Sequence, residues 1–379
     1  MTRVGQQPIA IAYMPWAGIK EELNVGPVSF WLFYSKAEEK ILDSQVRADL
    51  TRFFETFVDN VSKPVRTVVA CSCGDIGFRR FTSQEWSTIE AAVDCLIFAT
   101  IASGTKNSVC SDNRSMAPSS ADRFDLCARW VWPIENGLVV KTENSTNIWT
   151  YGEYKITRPT SVGGSFSGNY QPFLQGLGCI FDNGFPQDVR ERLFRSLEWF
   201  RFAHTESTSV SWLHKIVMMS TAFEILLEFP DHGKTAHFVR EIDLRMRLKD
   251  SYLVSRKDNK GNEYQVCMAA DWAAKFYDLR SRIVHGETVT TEDLRYKDWL
   301  SHLIVADLVL RELVMRILYQ YGCIGEKLRR HIAEMAPHSS DSTGVVEAAL
   351  LPGILGLDLE GVHQALGWIP SLDKSCGDQ

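Results

Sequence analysis

The feature that most constrains the fold is a change in the apolar pattern at Pro186. From there to about residue 322, apolar side chains recur at every third or fourth position, which is the period of an amphipathic helix. Helices are predicted over residues 187–202, 209–229, 235–248, 268–285 and 290–321, with a loop over 251–264. Long helices with one apolar face and short connections pack as antiparallel bundles, so we predict an all-α bundle over residues 186–325.

The first 185 residues have a different pattern, in which strands predominate. Strands rich in β-forming residues are predicted over residues 8–14, 28–33 and 67–73, a hairpin over 137–155, and helices over 41–58 and 85–102. Ser83 is the expected N-cap of the second helix, and residues 104–122 are predicted as an exposed loop. The chain is therefore expected to be α+β, with a mixed, strand-rich domain over residues 1–185.

Residues 326–379 form an amphipathic tail that is expected to contain helices. A basic amphipathic pattern over residues 325–335 and a Ser-rich hinge over 337–344 precede an apolar stretch that reaches Trp368. Such a stretch would expose a large apolar patch if it were free, so it is expected to pack on its own protein or on a partner. The pattern leaves both open.

The composition excludes several classes of protein. A net charge of −6 argues against coating nucleic acid by bulk charge, so any RNA binding has to come from a local basic patch. The nine cysteines are scattered, and the close pair Cys71 and Cys73 has no second pair at zinc spacing, so neither a metal nor a cofactor is expected. With no signal peptide and no apolar run of about 20 residues, a cytoplasmic protein without membrane contact is predicted.

The stretch WAAKFYDLRSRIVHG, residues 272–286, carries the candidate chemistry. Its apolar positions lie on one helical face, whereas Arg280, Ser281 and His285 lie off that face, and Gly286 stands where a helix-ending glycine is favoured. An ordinary explanation exists for this trio, since a cation near a helix C-terminus is stabilised by the helix dipole.

This stretch resembles the helix that carries the R-x4-6-H signature of HEPN domains, and of the Apea-like group in particular. The signature reads from Arg280 to His285, with the polar Ser281 directly after the arginine. Upstream, TAFEILLEF, residues 221–229, is similar to the second bundle helix of that group, including its acidic Glu224. The resemblance covers about residues 187–325. It implies a small helical bundle and, for many members, a metal-independent ribonuclease of toxin–antitoxin or anti-phage systems.

RNA is cleaved without a metal when its 2′-hydroxyl attacks the neighbouring phosphate. This step needs a proton acceptor, a proton donor and a cation that stabilises the charge of the phosphorane. Histidine exchanges protons near neutral pH and arginine presents a planar set of donors to phosphate, so His285 and Arg280 are suitable side chains. The resemblance implies these same roles, with Ser281 as an assisting contact. Glu224 is expected either to bridge to Arg280 or another arginine, or to act at the site.

Helix geometry limits what one copy of this stretch can do. Five positions at ~100° per residue place Arg280 and His285 about 140° apart around an ideal helix. Either the long arginine side chain bends around, or two copies of the helix build a shared site. The resemblance favours the second arrangement, a homodimer through the bundle.

Basic residues before and within the signature are candidates for RNA binding: Arg240, Arg245, Arg247, Lys249 and Arg282. Interspersed acidic residues dilute this patch, so a solvated charged helix is an alternative explanation. Arg282 lies four residues after Asp278, and this spacing favours an ion pair on the helix surface over RNA binding.

Three functions are compatible with the sequence. The leading hypothesis is an endoribonuclease of antiviral defence or of the toxin type, with RNA as substrate, the N-terminal domain sensing or restraining it, and a phage-derived trigger or antitoxin as candidate partners. The alternative is a non-catalytic HEPN module for dimerisation or for binding a nucleotide or partner. The third is an adaptor built on the N-terminal domain and the apolar tail.

Overall fold

The structure is a computed structural model that describes residues 8–19, 21–58, 62–74, 76–110, 120–126, 130–134, 137–141, 146–150, 155–157, 171–206, 210–248, 251–257, 260–297, 300–324 and 359–370. The chain divides into two compact units. Unit 1 comprises residues 1–101 and 119–209, and unit 2 comprises residues 102–118 and 210–379. Strands predominate early in the chain and helices later, so the predicted α+β class is confirmed.

Among the residues described, unit 1 is built from short strands, five α-helices that lie wholly or largely within it, and two 3-10 turns. Its strands are β1 (Ala12–Met14), β2 (Leu23–Val25), β3 (Val28–Leu32), β4 (Phe57–Val58), β5 (Val69–Cys73), β6 (Trp130–Ile134), β7 (Gly137–Lys141), β8 (Thr146–Thr150) and β9 (Ile156–Thr157). Its helices are α1 (Phe33–Lys40), α2 (Ser44–Phe54), the first part of α3 (Ser83–Cys110), α4 (Gln171–Gly178) and α5 (Gln187–Ala203), with a 3-10 turn at Ala121–Phe124 and another at Cys179–Phe181.

The sheets of unit 1 are mainly antiparallel. One sheet has the order β1-β5-β3-β2, and β6-β7-β8 form a meander that contains the predicted hairpin. Aromatic side chains fill the space under the first sheet, where Tyr13 meets Phe53, Phe54 and Phe57 edge to face. Edge-to-face aromatic pairs stabilise a core beyond the apolar area that they bury.

Helix α3 is longer than the sequence pattern predicted. It runs on to Cys110, through the first part of the segment expected to be a loop, while residues 111–119 lie outside the described residues. Its N-cap is Thr82 rather than Ser83, because Thr82 and Glu85 exchange hydrogen bonds as a capping box. Among the described residues one helical segment, Ser83–Lys106, is long and apolar enough to cross a membrane, but 78% of its apolar window is buried, as in a core helix.

Helix α5 belongs to unit 1, although the sequence pattern assigned it to the start of the bundle. Phe200 packs edge to face on Phe98 of α3, with 4.8 Å between ring centroids. One residue later, Arg201 Nε lies 2.6 Å from Asp94 Oδ1, which is buried. The change of apolar pattern at Pro186 therefore marks a change of secondary structure and does not coincide with the boundary between the units.

Unit 2 is a helical bundle that also carries two antiparallel strand pairs. Its elements are α6 (Trp212–Leu226), α7 (Lys234–Met246), β10 (Leu253–Lys257), β11 (Glu263–Cys267), α8 (Met268–Val284), β12 (Arg295–Lys297), β13 (Leu300–Ser301), α9 (His302–Gln320) and α10 (Leu359–Ala365). Phe223 of α6 contacts Trp272 and Phe276 of α8, and Trp272 and Phe276 stack on each other. These rings form the centre of the bundle core.

Two parts of the bundle differ from the predicted helices and loops. Residues 251–264, predicted as a loop, contribute to the hairpin β10–β11, in which Leu253 pairs with Cys267 and Lys257 with Glu263. The last long helix begins at His302 instead of near residue 290. Thr290 and Asp293 do exchange the hydrogen bonds of a cap, but these close a single turn, and Ser301 is the N-cap of α9.

The described part of the tail packs on unit 2. Trp368 and Leu366 are buried, Trp368 Nε1 donates to Tyr296 Oη over 2.9 Å, and the Trp368 carbonyl accepts from Tyr252 N. Inside the protein, His363 Nε2 lies 3.0 Å from Glu312 Oε2. The sequence left open whether the tail packs on its own protein or on a partner. In the structure, this segment packs on its own chain. The predicted basic helix and hinge at residues 325–344 lie outside the described residues.

Candidate functional site

Helix α8 ends as its sequence predicts. Trp272, Phe276 and Leu279 are buried, His285 is the C-cap residue, and Gly286 follows with a φ of 74°. The Gly286 amide donates to the Ile283 carbonyl, and the Glu287 amide donates to the Arg282 carbonyl. This pair of hydrogen bonds defines a Schellman motif, which needs a left-handed residue where Gly286 stands. The motif fixes where the helix stops and leaves His285 exposed at its end.

The Arg280 side chain is held against a carboxylate and a phenol. Its Nη2 lies 3.2 Å from Oε1 of Glu224 on α6, and its guanidinium carbon lies 5.5 Å from the centroid of the Tyr277 ring. The side chain is 22% exposed, and its Nε is buried without a hydrogen-bond partner in the described part of the chain. Glu224 was expected either to bridge to an arginine or to act at the site, and in the structure it forms the bridge to Arg280.

Glu224 has a partner on each of its oxygens. Tyr277 Oη donates to Oε1 over 3.0 Å, and Lys234 Nζ lies 2.7 Å from Oε2. Burial and the neighbouring carboxylate raise the pKa of Tyr277, so that its phenol stays protonated and remains a donor. Two cations share one carboxylate that is only 14% exposed, and the cluster keeps one net positive charge.

His285 and Ser281 are placed differently from Arg280. No hydrogen bond, ion pair or ring contact joins the His285 imidazole to Arg280 within the residues that the structure describes. Ser281 is half-buried, and its carbonyl accepts from the His285 amide over 3.0 Å. One copy of the chain thus presents a held arginine and, five residues later, an exposed histidine, without direct contact between them.

The candidate RNA-binding arginines of α7 and its C-cap all have acidic neighbours. Both Arg245 and Arg240 pair with Glu241. Arg240 Nη2 lies 3.4 Å from Glu241 Oε1, and 68% of the Arg240 side chain is exposed. Arg247 makes two hydrogen bonds to Asp243, at 2.6 and 3.1 Å, and another to the Gln265 carbonyl. Lys249 lies outside the described residues. Arg240 is therefore the most available cation in this group among the residues described.

Arg282 supports the turn after α8. Its guanidinium lies 2.9 Å from Asp293 Oδ1 and 3.6 Å from Glu287, and it donates to the Thr288 carbonyl. The partner expected from the sequence, Asp278, is four residues earlier on the same helix, whereas the observed partners lie beyond the helix end. Hydrogen bonds from Arg282 and Thr290 hold the pKa of Asp293 well below its ordinary value, so this contact persists in moderate acid.

Two residues, Tyr277 and Lys234, were not predicted from the sequence to contact Arg280 or Glu224. Tyr277 precedes Arg280 by three positions. This spacing places the two side chains on one helix face, so their contact could have been predicted from the sequence. Lys234 lies on another helix, and nothing in its local sequence indicates that it reaches Glu224. Among the residues described, no group of three or more His, Cys, Asp or Glu side chains is placed to hold a metal ion.

Comparison with protein-family models, with curated proteins and with solved structures gave no match for this chain. The resemblance to HEPN domains therefore depends on the motif residues and their spacing.

Proposed function

We propose that unit 2 is a metal-independent endoribonuclease of the HEPN type, which cleaves RNA through attack by the substrate's own 2′-hydroxyl. The observation that carries this proposal is the cluster at the end of α8. There, Glu224 and Tyr277 hold the Arg280 guanidinium, and the exposed His285 follows five residues later. Acting in the cytoplasm, the protein would serve antiviral defence or be a toxin.

In the proposed reaction, a bond forms between the 2′-oxygen and phosphorus while the bond from phosphorus to the 5′-oxygen breaks. His285 accepts the proton of the 2′-hydroxyl or donates one to the leaving 5′-oxygen. Arg280 stabilises the negative charge that develops on the phosphorane. The products are a 2′,3′-cyclic phosphate and a 5′-hydroxyl, and no net proton is gained or lost.

A homodimer completes this proposal. In one chain the two key side chains are about 140° apart around α8, and they do not touch. A second copy that faces α8 brings a second imidazole to each arginine, so that one histidine acts as base and the other as acid. Val284, which precedes His285, is 50% exposed and provides an apolar contact surface at this end of the helix.

Cleavage of a labelled RNA in the presence of EDTA tests the proposal. We expect the wild-type protein to cut it, and His285→Ala and Arg280→Ala each to lose at least a hundredfold in rate, within the range of a general acid–base contribution. The matched control is His232→Ala, which removes an exposed histidine from the turn before α7. Equal rates for the wild-type protein and His285→Ala would contradict the assignment.

The alternative is a non-catalytic HEPN module that binds a nucleotide or a partner. It is favoured by the buried position of Arg280 Nε, because substrate phosphate reaches that atom only if the side chain moves. Binding of RNA without cleavage, unchanged in His285→Ala, is the result that supports this alternative.

We also propose that unit 1 senses a signal or restrains the nuclease. This unit offers strands, aromatic residues and connecting segments, which suit recognition on a rigid scaffold. Growth of bacteria that express the full chain, with and without phage infection, provides the test. Growth arrest that requires both infection and His285 supports restraint, whereas arrest without infection opposes it.

A further inference from the structure

Glu224 lies between two cations, whereas anchoring an arginine requires only one. A carboxylate at 3.2 Å from Arg280 neutralises the guanidinium and weakens its attraction for a second anion. Lys234 binds the opposite oxygen of the same carboxylate, at 2.7 Å. The three side chains are between 14% and 34% exposed, so their charges are only partly screened by solvent.

We propose that Lys234 is a positioning residue that sets the charge of the Arg280 site. It compensates the charge of Glu224, so that the carboxylate holds Arg280 in place while one positive charge remains for the substrate phosphate. This inference rests on the proposed ribonuclease function and adds to it a requirement for a specific lysine outside the signature helix.

The geometry separates the two tasks of Glu224. Oε1 faces α8, where it accepts from Tyr277 and meets Arg280, so this oxygen fixes the position of the guanidinium. Oε2 faces the first residue of α7, Lys234. A glutamine at position 224 can keep a carbonyl oxygen for Tyr277 and Arg280, while it removes the negative charge and places an amide donor where Oε2 faced Lys234. The position of Arg280 and the charge of the site can therefore be varied independently.

A double-mutant cycle on RNA cleavage tests the inference. Lys234→Met leaves the pair of Arg280 and Glu224 without a net charge and is expected to lower kcat on the order of tenfold, while Lys234→Arg keeps wild-type activity. Adding Glu224→Gln to Lys234→Met restores one net positive charge. We therefore expect the double variant to be faster than Lys234→Met, although it carries one more substitution. Lys215→Met on α6, where the lysine lies over the Trp212 ring, is the matched control.

A purely structural lysine predicts the opposite order. In that case the double variant is at least as slow as the slower single variant, and Lys234→Arg does not recover activity. Thermal unfolding of each variant identifies losses due to misfolding, and Lys234→Gln replaces Lys234→Met if the latter does not fold.

Failure of this inference differs from failure of the proposed function. If the wild-type protein cleaves RNA, His285→Ala does not, and Lys234→Met equals the wild type, the function holds and the role of Lys234 is overturned. If the wild-type protein binds unmodified RNA without cleaving it, the nuclease proposal fails, and the same order of variants is then expected in the affinity for RNA. A wild-type protein that neither binds nor cleaves RNA overturns both.

Discussion

Replacing Trp368 with alanine tests whether the tail segment is part of the folded bundle. The Trp368 side chain is 1% exposed, packs edge to face on His363, and donates a hydrogen bond to Tyr296. Truncation of a buried tryptophan costs about 3–5 kcal/mol, a large part of the roughly 5–15 kcal/mol that stabilises a typical domain. For a unit of this size, such a loss lowers the melting temperature by roughly 6–20 °C.

Differential scanning calorimetry of Trp368→Ala and Trp212→Ala provides the measurement. Trp212 is 55% exposed, so its removal deletes the same side chain but loses much less buried area than the removal of Trp368. We expect only Trp368→Ala to lower the melting transition of unit 2 and to make the C-terminus sensitive to protease. Equal melting temperatures for the two variants would refute the docking of the tail. They would also revive the adaptor hypothesis, in which the tail binds a partner.

Three further predictions concern acid stability, a buried ion pair and the dimer. Burial lowers the pKa of His302 to about 4, whereas an unfolded histidine titrates near 6.5, so stability falls as the pH drops from about 6.5 to 4. His302→Phe is expected to remove roughly 3 kcal/mol of this acid-induced loss of stability. The measurement is the free energy of unfolding as a function of pH, and a pH dependence equal to that of the wild type contradicts the burial argument. Burial raises the pKa of Asp94 to about 7 despite Arg201, so Arg201→Met is expected to destabilise unit 1 more at pH 8 than at pH 6, where the carboxyl can be neutral. Urea unfolding at both pH values measures this effect, and an equal loss at both excludes a buried unpaired charge. Val284→Glu is expected to shift the protein from dimer to monomer, as measured by sedimentation equilibrium. A dimer that persists in this variant would mean that the dimer interface does not include the end of α8.

The signature helix was predictable because several local signals agree. Apolar residues recur with the helical period, and a glycine stands where the backbone turns left-handed, so α8 ends where the sequence indicates. The exposed position of His285 follows from the same pattern.

Other elements were not predictable because their signals are not local. Hairpin β10–β11 has exposed charged residues on both strands and lacks the apolar alternation that identifies a strand. The apolar face of α5 predicted its burial but not its partner, which is α3, about 100 residues earlier in the chain. Lys234 reaches Glu224 only because α7 packs beside α6 and α8.

The division into units affects how the restraint by unit 1 can be tested. A fragment that begins at residue 186 keeps α5, which packs in unit 1, and lacks residues 102–118, which belong to unit 2. Loss of activity in that fragment would therefore reflect broken packing as readily as loss of a regulator. Substitutions in the full chain are the cleaner test.

The most direct test of the central claim uses an RNA oligonucleotide in which one nucleotide lacks its 2′-hydroxyl. Mass spectrometry of the products, with EDTA present, reports both the cleavage sites and the chemistry of the ends. The account predicts that the wild-type protein leaves 2′,3′-cyclic phosphates at its preferred site, that the 2′-deoxy nucleotide blocks cleavage there, and that His285→Ala yields no products. Cleavage after the 2′-deoxy nucleotide, or equal products from His285→Ala, would contradict it.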